Sequence, residues 1–345
     1  MMGAEPVRFG VLGTAAIAKK FVAGLRGSAL AQVDAIASRS ATTAEAFAAE
    51  MDVPRIFASY DALLADPAIE AIYIPLPNHM HAEWAVKAVQ AGKHVLCEKP
   101  LAIGVADARA MFAAARGAGR LLVEAYPYMS QPQTLKLRSL LAEGTIGRVQ
   151  MVTAAFTFAI CAPDGTALRN PDDIRLDPLR GGGALLDAGT YPMSLIRLAI
   201  GERPDRVFAT GRWTPGGVDL TVAATLEFPG GATAQLLCSL AIPGYRHAAI
   251  MGESGVIETT YSNHAMDPEG TLPLRLRRGT AAATPFETID LPSGDGFRFE
   301  AESFARMMRQ GPAAWDGASE AESVDTALSL EALLRSLRDG GWVTL

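Results

Sequence analysis

The sequence predicts an α/β domain built on a parallel sheet, followed by an α+β domain with a large, mostly antiparallel open sheet. Three observations carry that reading. Short apolar runs alternate with helical patterns across residues 1–125, whereas β-prone stretches separated by tight turns dominate from residue 126 onward. A chain of 345 residues, 49% of them hydrophobic, also exceeds the size at which one core keeps growing. The expected domains are therefore 1–125 and 126–345, with the closing helix free to pack back on the first.

Residues 7–12 form an apolar run ended by Gly13, and Ala16, Ile17, Phe21, Val22 and Leu25 follow at helical spacings. Strand, turn and helix then recur. Strands are expected at 32–37, 71–74, 94–97 and 121–123, and helices near 42–51, 82–91 and 106–118. Strands separated by helices pair in parallel through right-handed crossovers, and both sheet faces are covered. A helix over 133–143, stopped by Gly144, leads into the second domain. There, strands are expected at 149–158, 206–213, 220–228, 233–240, 248–252 and 256–261, with turns such as Phe228-Pro229-Gly230-Gly231. Helices over 297–310 and 320–338, each ended by glycine, close the chain.

The formal charge of -6, with no Lys/Arg block, argues against nucleic acid or an acidic membrane surface as partner, because such binding needs a concentrated basic face. No run approaches the roughly 18 apolar residues of a membrane span, and the start, Met1-Met2-Gly3-Ala4-Glu5-Pro6, lacks a signal-peptide pattern. Cys97, Cys161 and Cys238 are far apart, so neither a zinc site nor a disulfide framework is expected, and a cytoplasmic, reducing location fits. A small molecule is the expected partner.

The turn Gly10-Val11-Leu12-Gly13-Thr14-Ala15-Ala16-Ile17-Ala18 places Gly13-x-Ala15-x-x-Ala18 in the frame of the dinucleotide-binding Rossmann fingerprint. Alanines at the second and third glycine positions still admit the backbone close to a pyrophosphate at the helix N-terminus, so Gly13, Thr14, Ala15 and Ile17 are candidate cofactor residues. The competing account is a βα turn kept small for helix packing. Ser38-Arg39-Ser40 ends the second strand where an NAD enzyme places a carboxylate. A guanidinium between hydroxyls suits a 2′-phosphate, so NADP is expected, with NAD as the alternative cofactor; a solvated loop arginine is the competing reading. In Ile74-Pro75-Leu76-Pro77-Asn78-His79-Met80-His81 two prolines fix an extended loop, and Asn78 is placed to cap a helix starting near His81. Pro75, Leu76, Asn78 and His81 are expected to border the cofactor. His79 and His81 lack a nearby third ligand, so no metal is expected.

Cys97-Glu98-Lys99-Pro100 closes the fourth strand. A lysine between a strand end and a proline, where an open parallel sheet binds ligands, is a candidate acid/base or carbonyl-orienting group. Glu98 is placed to bond ribose hydroxyls and Lys99 to reach the oxygen on the reacting carbon, and the bond to Pro100 admits a cis peptide. In the second domain, Gly181-Gly182-Gly183 removes side-chain bulk ahead of Asp187 and Tyr191, which share a face if a helix begins there. A phenol near an ammonium gives up its proton more readily and can exchange it with a substrate hydroxyl. An aspartate cap with a core tyrosine is the structural alternative.

In their order and spacing, Gly10 to Ala18, Tyr73-Ile74-Pro75-Leu76-Pro77-Asn78, Glu98-Lys99-Pro100, the glycines before Asp187 and the closing helix with Ser336 resemble the glucose-fructose oxidoreductase/inositol dehydrogenase/rhizopine-catabolism superfamily, Gfo/Idh/MocA, over essentially the whole chain. Asp187-Ala188-Gly189-Thr190-Tyr191 is similar to the branch with glucose-fructose oxidoreductase, dimeric dihydrodiol dehydrogenase and NADP-linked xylose dehydrogenase. The resemblance implies a catalytic pair in which Tyr191 donates and accepts the proton and Lys99 orients substrate and eases that ionisation, with Asp187 in support. It implies an NAD(P)-dependent dehydrogenase or reductase that interconverts a sugar, polyol or dihydrodiol alcohol, or a hemiacetal, and its carbonyl. It further implies a homodimer or homotetramer assembled through the second domain's sheet. A non-catalytic dinucleotide sensor of the same fold is the alternative. Tyr128-Met129-Ser130-Gln131-Pro132-Gln133 departs from the branch's Tyr-Arg-x-His-Pro-Gln pattern and removes charge from the expected substrate side.

Overall fold

The computed structural model describes residues 5–263 and 270–345; part of the N-terminal stretch read above, residues 1–4, and residues 264–269 lie outside the described residues. The chain divides into two compact units. One takes the residues up to Ala102 with Ala106–Ser130 and Gly294–Glu320; the other takes Ile103–Val105, the described part of Gln131–Ser293, and Ala321–Leu345.

In the first unit, β1 (Val7–Leu12), α1 (Ala16–Gly24), β2 (Ala31–Ala37), α2 (Ala41–Met51), β3 (Arg55–Phe57), α3 (Tyr60–Leu64), β4 (Ala71–Ile74), α4 (His81–Gln90), β5 (His94–Glu98), α5 (Val105–Ala118) and β6 (Leu122–Ala125) alternate. The strands lie in the order β3-β2-β1-β4-β5-β6, every pair parallel. β4 is wholly buried because helices cover both sheet faces, which is why it reads as an unbroken apolar run. β3 and α3, of three and five residues, are too short to show a period and lie outside the sequence expectation. The strand order reverses between β1 and β4, so the carboxyl ends of those strands border a ligand crevice.

The second unit opens with α6 (Pro132–Ala142), β7 (Val149–Thr157) and α7 (Thr190–Ile200). Seven strands follow: β8 (Arg206–Trp213), β9 (Asp219–Glu227), β10 (Thr233–Ser239), β11 (Tyr245–Gly252), β12 (Gly255–Thr259), β13 (Leu274–Arg278) and β14 (Glu287–Ile289). The chain then returns to the first unit as α8 (Gly296–Gln310) and ends with α9 (Glu320–Asp339) and β15 (Val343–Thr344). The nine-stranded sheet runs β14-β13-β12-β11-β7-β10-β9-β8-β15; β7 and β10 pair in parallel and the other neighbours are antiparallel. The expectation of a mostly antiparallel second sheet therefore holds. β13, β14 and β15 extend beyond the strands expected from sequence, although Leu274 and Leu276 are buried on either side of exposed Arg275.

α8 belongs with the first unit because Phe297, Ala301, Phe304 and Ala305 fall on one buried face. Its N-cap Asp295 accepts from the backbone N–H of Phe297 at 2.9 Å. The Phe304 ring lies 6.1 Å from Phe9, Phe9 meets Phe21 edge-on at 5.5 Å, and Phe21 stacks on Tyr73 at 3.8 Å. α9 is tied to β8 through Ser336, whose hydroxyl accepts from Ala209 N at 2.9 Å and donates to the Gly341 carbonyl at 2.6 Å.

The segment leading into α7 is built on a buried carboxyl. Asp219, 1% exposed, accepts from Leu185 N at 2.6 Å. Gly183 has φ +118, and a Cβ there would overlap Asp219 Oδ1, so both the conformation and the close approach require glycine. Burial pushes the Asp219 carboxyl up to about 6, against backbone N–H groups that favour its charged form. The folded state thus holds this proton more tightly than the unfolded chain. Its stabilising effect is complete below the ordinary value of 3.8 and is lost as pH rises to about 6. At roughly 1.4 kcal/mol per pH unit, wild type should lose about 2 kcal/mol relative to Asp219→Asn between pH 4 and 7. Urea unfolding of both proteins across that range checks this; a difference between them that does not change with pH contradicts it.

Candidate active site

β1 ends at Leu12 and the chain turns at Gly13, which has φ +92. A Cβ on Gly13 would stand 3.0 Å from Leu76 Cδ2 and 3.5 Å from the Tyr60 hydroxyl, so the turn leaves room only for backbone. α1 then starts at Ala16 with Ala15 as its N-cap, no side-chain cap and no acid in its first turn. Its leading N–H groups therefore lack a side-chain acceptor and suit an anion. Thr14, Ala15 and Ile17 are exposed or half-buried around this end.

The neighbouring turn after β2 has the complementary charge. Ser40 caps α2, its hydroxyl accepting from Thr43 N at 3.3 Å, and Ser38, 7% exposed, accepts from Ser40 N at 3.2 Å. The two serines shape the turn while Arg39 between them is exposed. Asp34, the acid earlier in β2, is occupied by Arg55 at 2.5 Å. Tyr60 joins this corner without any motif to mark it: burial pushes its phenol up, and neighbouring Arg39 acts in the opposite sense.

Across the sheet, the ends of β4 and β5 are held by buried polar ties. Pro75 and Leu76 are buried, and Asn78 opens a 3-10 turn, Asn78–Met80. The N-cap of α4 is Met80, with no side-chain bond, so the expected cap role of Asn78 is corrected: the intervening turn displaces it. His81 is fully buried, with Nδ1 2.9 Å from the Pro100 carbonyl and Nε2 2.7 Å from the Leu76 carbonyl. Burial pushes its pKa below the usual histidine value, against the pull of those carbonyls, and a neutral ring donates to one of them at a time. Both nitrogens face protein backbone, so the ring ties the two strand ends together.

Glu98, 6% exposed, accepts from the Tyr73 hydroxyl at 2.5 Å. The Lys99-Pro100 peptide is cis, and Leu101 N donates to buried Glu124 at 2.9 Å. Half-buried Lys99 is thus presented from a strand end fixed on both sides. Glu300 on α8 is 1% exposed; burial first and the Glu98 carboxylate second push it well above the usual carboxylate range.

In the second unit, Tyr191 occupies the first turn of α7, 7% exposed and edge-on to Phe156 at 5.2 Å. Arg246 on β11 places its guanidinium carbon 4.4 Å from the Tyr191 ring centre, and Asn263 Nδ2 donates to the Tyr191 hydroxyl oxygen at 3.4 Å. Gln131 Nε2 donates to the Asn263 carbonyl. Asp187 precedes Tyr191 in a wide π turn, Leu185–Gly189, not in the regular helix start its spacing suggests. Its carboxylate lies 3.9 Å from Arg175, which pairs with Asp173 at 2.6 Å and sits 5.5 Å over Phe158. The rings of Phe156 and Phe158 are 5.6 Å apart, so Asp187 and Tyr191 are served from the same end of β7. Met129 and Gln131, the residues that depart from the branch pattern, are 1% and 0% exposed. Arg175, Arg246 and Asn263 carry no motif, and Arg246 lies just ahead of the strand expected at 248–252.

Residues 7–126 match the oxidoreductase family with an NAD-binding Rossmann fold, and residues 134–258 match the GFO/IDH/MocA C-terminal domain. D-xylose 1-dehydrogenase (NADP(+)) 2 of Haloferax volcanii is 38% identical over 98% of this chain and 99% of its own. Trans-1,2-dihydrobenzene-1,2-diol dehydrogenase of Sus scrofa is 30% identical over 88% and 89%. A 3-ketoreductase from Actinomadura kijaniata, solved with NADP and TDP-benzene, has a TM-score of 0.81 at 31% identity over 97% and 98% of the two chains. All are dehydrogenases or reductases, which sets the chain among enzymes and not among non-catalytic sensors. With both halves matched and the dinucleotide turn in place at the end of β1, the chain belongs to the GFO/IDH/MocA oxidoreductase family.

Proposed function

We propose that this oxidoreductase uses NADP to interconvert a sugar, polyol or dihydrodiol alcohol, or a hemiacetal, and its carbonyl, with Lys99, Tyr191 and Asp187 at the reacting end. The observation that carries the reading is Lys99, presented at the carboxyl end of β5 by buried bonds in a sheet whose β1 turn admits a dinucleotide. NADP supplies the nicotinamide carbon that takes or gives the hydride. The residues present fit it: Gly13 leaves the cradle open, the uncapped α1 end would hold the pyrophosphate, and Arg39 beside Ser40 would hold the 2′-phosphate. Thr14, Ala15, Ile17, Ser38, Pro75, Leu76, Asn78 and His81 would border the cofactor, and Glu98 would bond ribose hydroxyls.

In oxidation, Tyr191 takes the hydroxyl proton as the C–H bond gives up its hydride; in reduction it returns that proton to the new alkoxide. Lys99 holds the substrate oxygen in near-attack geometry, and Asp187 supports that placement. In this reading the first unit binds the dinucleotide and the second binds substrate. Lys99→Met or Tyr191→Phe should keep NADPH binding while turnover falls by about two powers of ten or more. Arg39→Ala should do the reverse, weakening NADPH about tenfold or more but not NADH. Fluorescence titration and steady-state rates with a sugar and dihydrodiol panel check both; normal turnover in either of the first two variants contradicts the roles given.

The second unit also forms a homodimer in this account. Met151 on β7 and Leu237 on β10, 42% and 47% exposed, lie on one face of neighbouring strands. Leu237→Glu should convert a dimer to a monomer in sedimentation equilibrium; an unchanged mass excludes this face. The three cysteines, all unpaired and buried, suit a cytoplasmic enzyme, which cell fractionation tests.

A further inference from the structure

We infer that Arg246 is a positioning residue for Tyr191: its guanidinium, stacked on the phenol ring, biases that ring towards phenolate and so sets the pH at which the substrate proton can be taken. The inference rests on the reading of Tyr191 as the proton-exchanging group. Arg246 is half-buried among three rings, its guanidinium carbon 4.4 Å from the centre of Tyr191, 4.6 Å from Tyr261 and 4.7 Å from Phe156. A cation at this range is attracted to the face of a neutral ring and more strongly to a ring that carries negative charge. Half-burial against aromatic carbon weakens the solvent screening that would erase such an effect on an open surface.

Of the second unit's described groups placed against Tyr191, those named next act in the same direction or are neutralised. Asn263, beyond β12, donates its amide N–H to the phenol oxygen at 3.4 Å, an arrangement that favours the charged form. Gln131, at the N-cap of α6, holds the Asn263 carbonyl and with it the placement of that donor. Tyr261, from the same side as Asn263, is itself tied by its hydroxyl to the Ala155 carbonyl at 2.6 Å. β7 contributes the uncharged ring of Phe156. The opposing charge comes from Asp187, in the turn before α7, and Arg175 at 3.9 Å offsets it. A phenolate placed this way takes the hydroxyl proton of the alcohol while the carbon-bound hydrogen leaves as hydride to NADP; the reverse reaction returns both.

The direct test is a near-ultraviolet phenolate titration of the NADP-loaded enzyme, with the Tyr191→Phe signal subtracted to isolate this residue. The wild-type midpoint should lie about one pH unit below that of Arg246→Met, with Arg246→Lys between them. Coincident midpoints in wild type and Arg246→Met overturn the inference. So does an Arg246→Lys protein that titrates like Arg246→Met, since packing and not charge would then be responsible. If Tyr191→Phe turns over the sugar and dihydrodiol panel at the wild-type rate, the proton-exchange reading fails and the catalytic consequence with it, while the midpoints still report whether Arg246 acts on the ring.

Discussion

A lysine can hold a reacting oxygen in place only if the backbone beneath it does not move, and in this protein buried polar bonds hold the end of β5. His81 faces the carbonyls on both flanking turns, at Leu76 and Pro100. Glu124 receives Leu101 N, and Glu98 is held by the Tyr73 hydroxyl. Each of these groups is removed from water, where an unmade bond would cost on the order of 1–3 kcal/mol, so the ties leave the strand end little freedom. The aromatic stack of Phe21 on Tyr73 extends that rigidity into the core, so the position of Lys99 depends on packing that is remote from it in sequence.

The second unit uses a comparable device at the start of α7. Asp219 is buried at the first residue of β9 and receives Leu185 N, while Gly183 gives way to its carboxyl oxygen. The wide turn that follows places Asp187 and Tyr191 over the end of β7, where Phe156 and Phe158 form the floor. Cations then lie against both of these side chains, Arg246 over the tyrosine ring and Arg175 beside the aspartate. A phenol in these surroundings differs chemically from one exposed on a helix, and the difference arises from the fold around it.

Much of this was legible in the order of residues. Apolar runs of four to six residues closed by Gly13 or Pro75 locate the strand ends, and with them the crevice, because a parallel sheet binds ligands at its carboxyl edge. Arg39 and Lys99 could be singled out because each lies within two residues of a strand end. Local spacing could not reveal what each side chain meets across the fold. Tyr60 lies on a five-residue helix without periodicity, and Glu300 arrives from a helix almost two hundred residues after Lys99. His81 and Gln131 each bond backbone carbonyls that their place in the sequence does not reveal. Arg246 sits in a strand that begins three residues ahead of the run at 248–252 that marks it in the sequence.

The central claim is direct hydride transfer between an alcohol carbon and NADP, with Lys99 and Tyr191 managing the oxygen and its proton. Sugars, polyols and dihydrodiols deuterated at their hydroxyl-bearing carbons, supplied with NADP+, test it by mass spectrometry of the reduced cofactor. The account predicts one deuterium in each NADPH formed from the accepted substrate. NADPH that carries hydrogen from solvent, or bound NADP+ that is never reduced by any member of the panel, would contradict it.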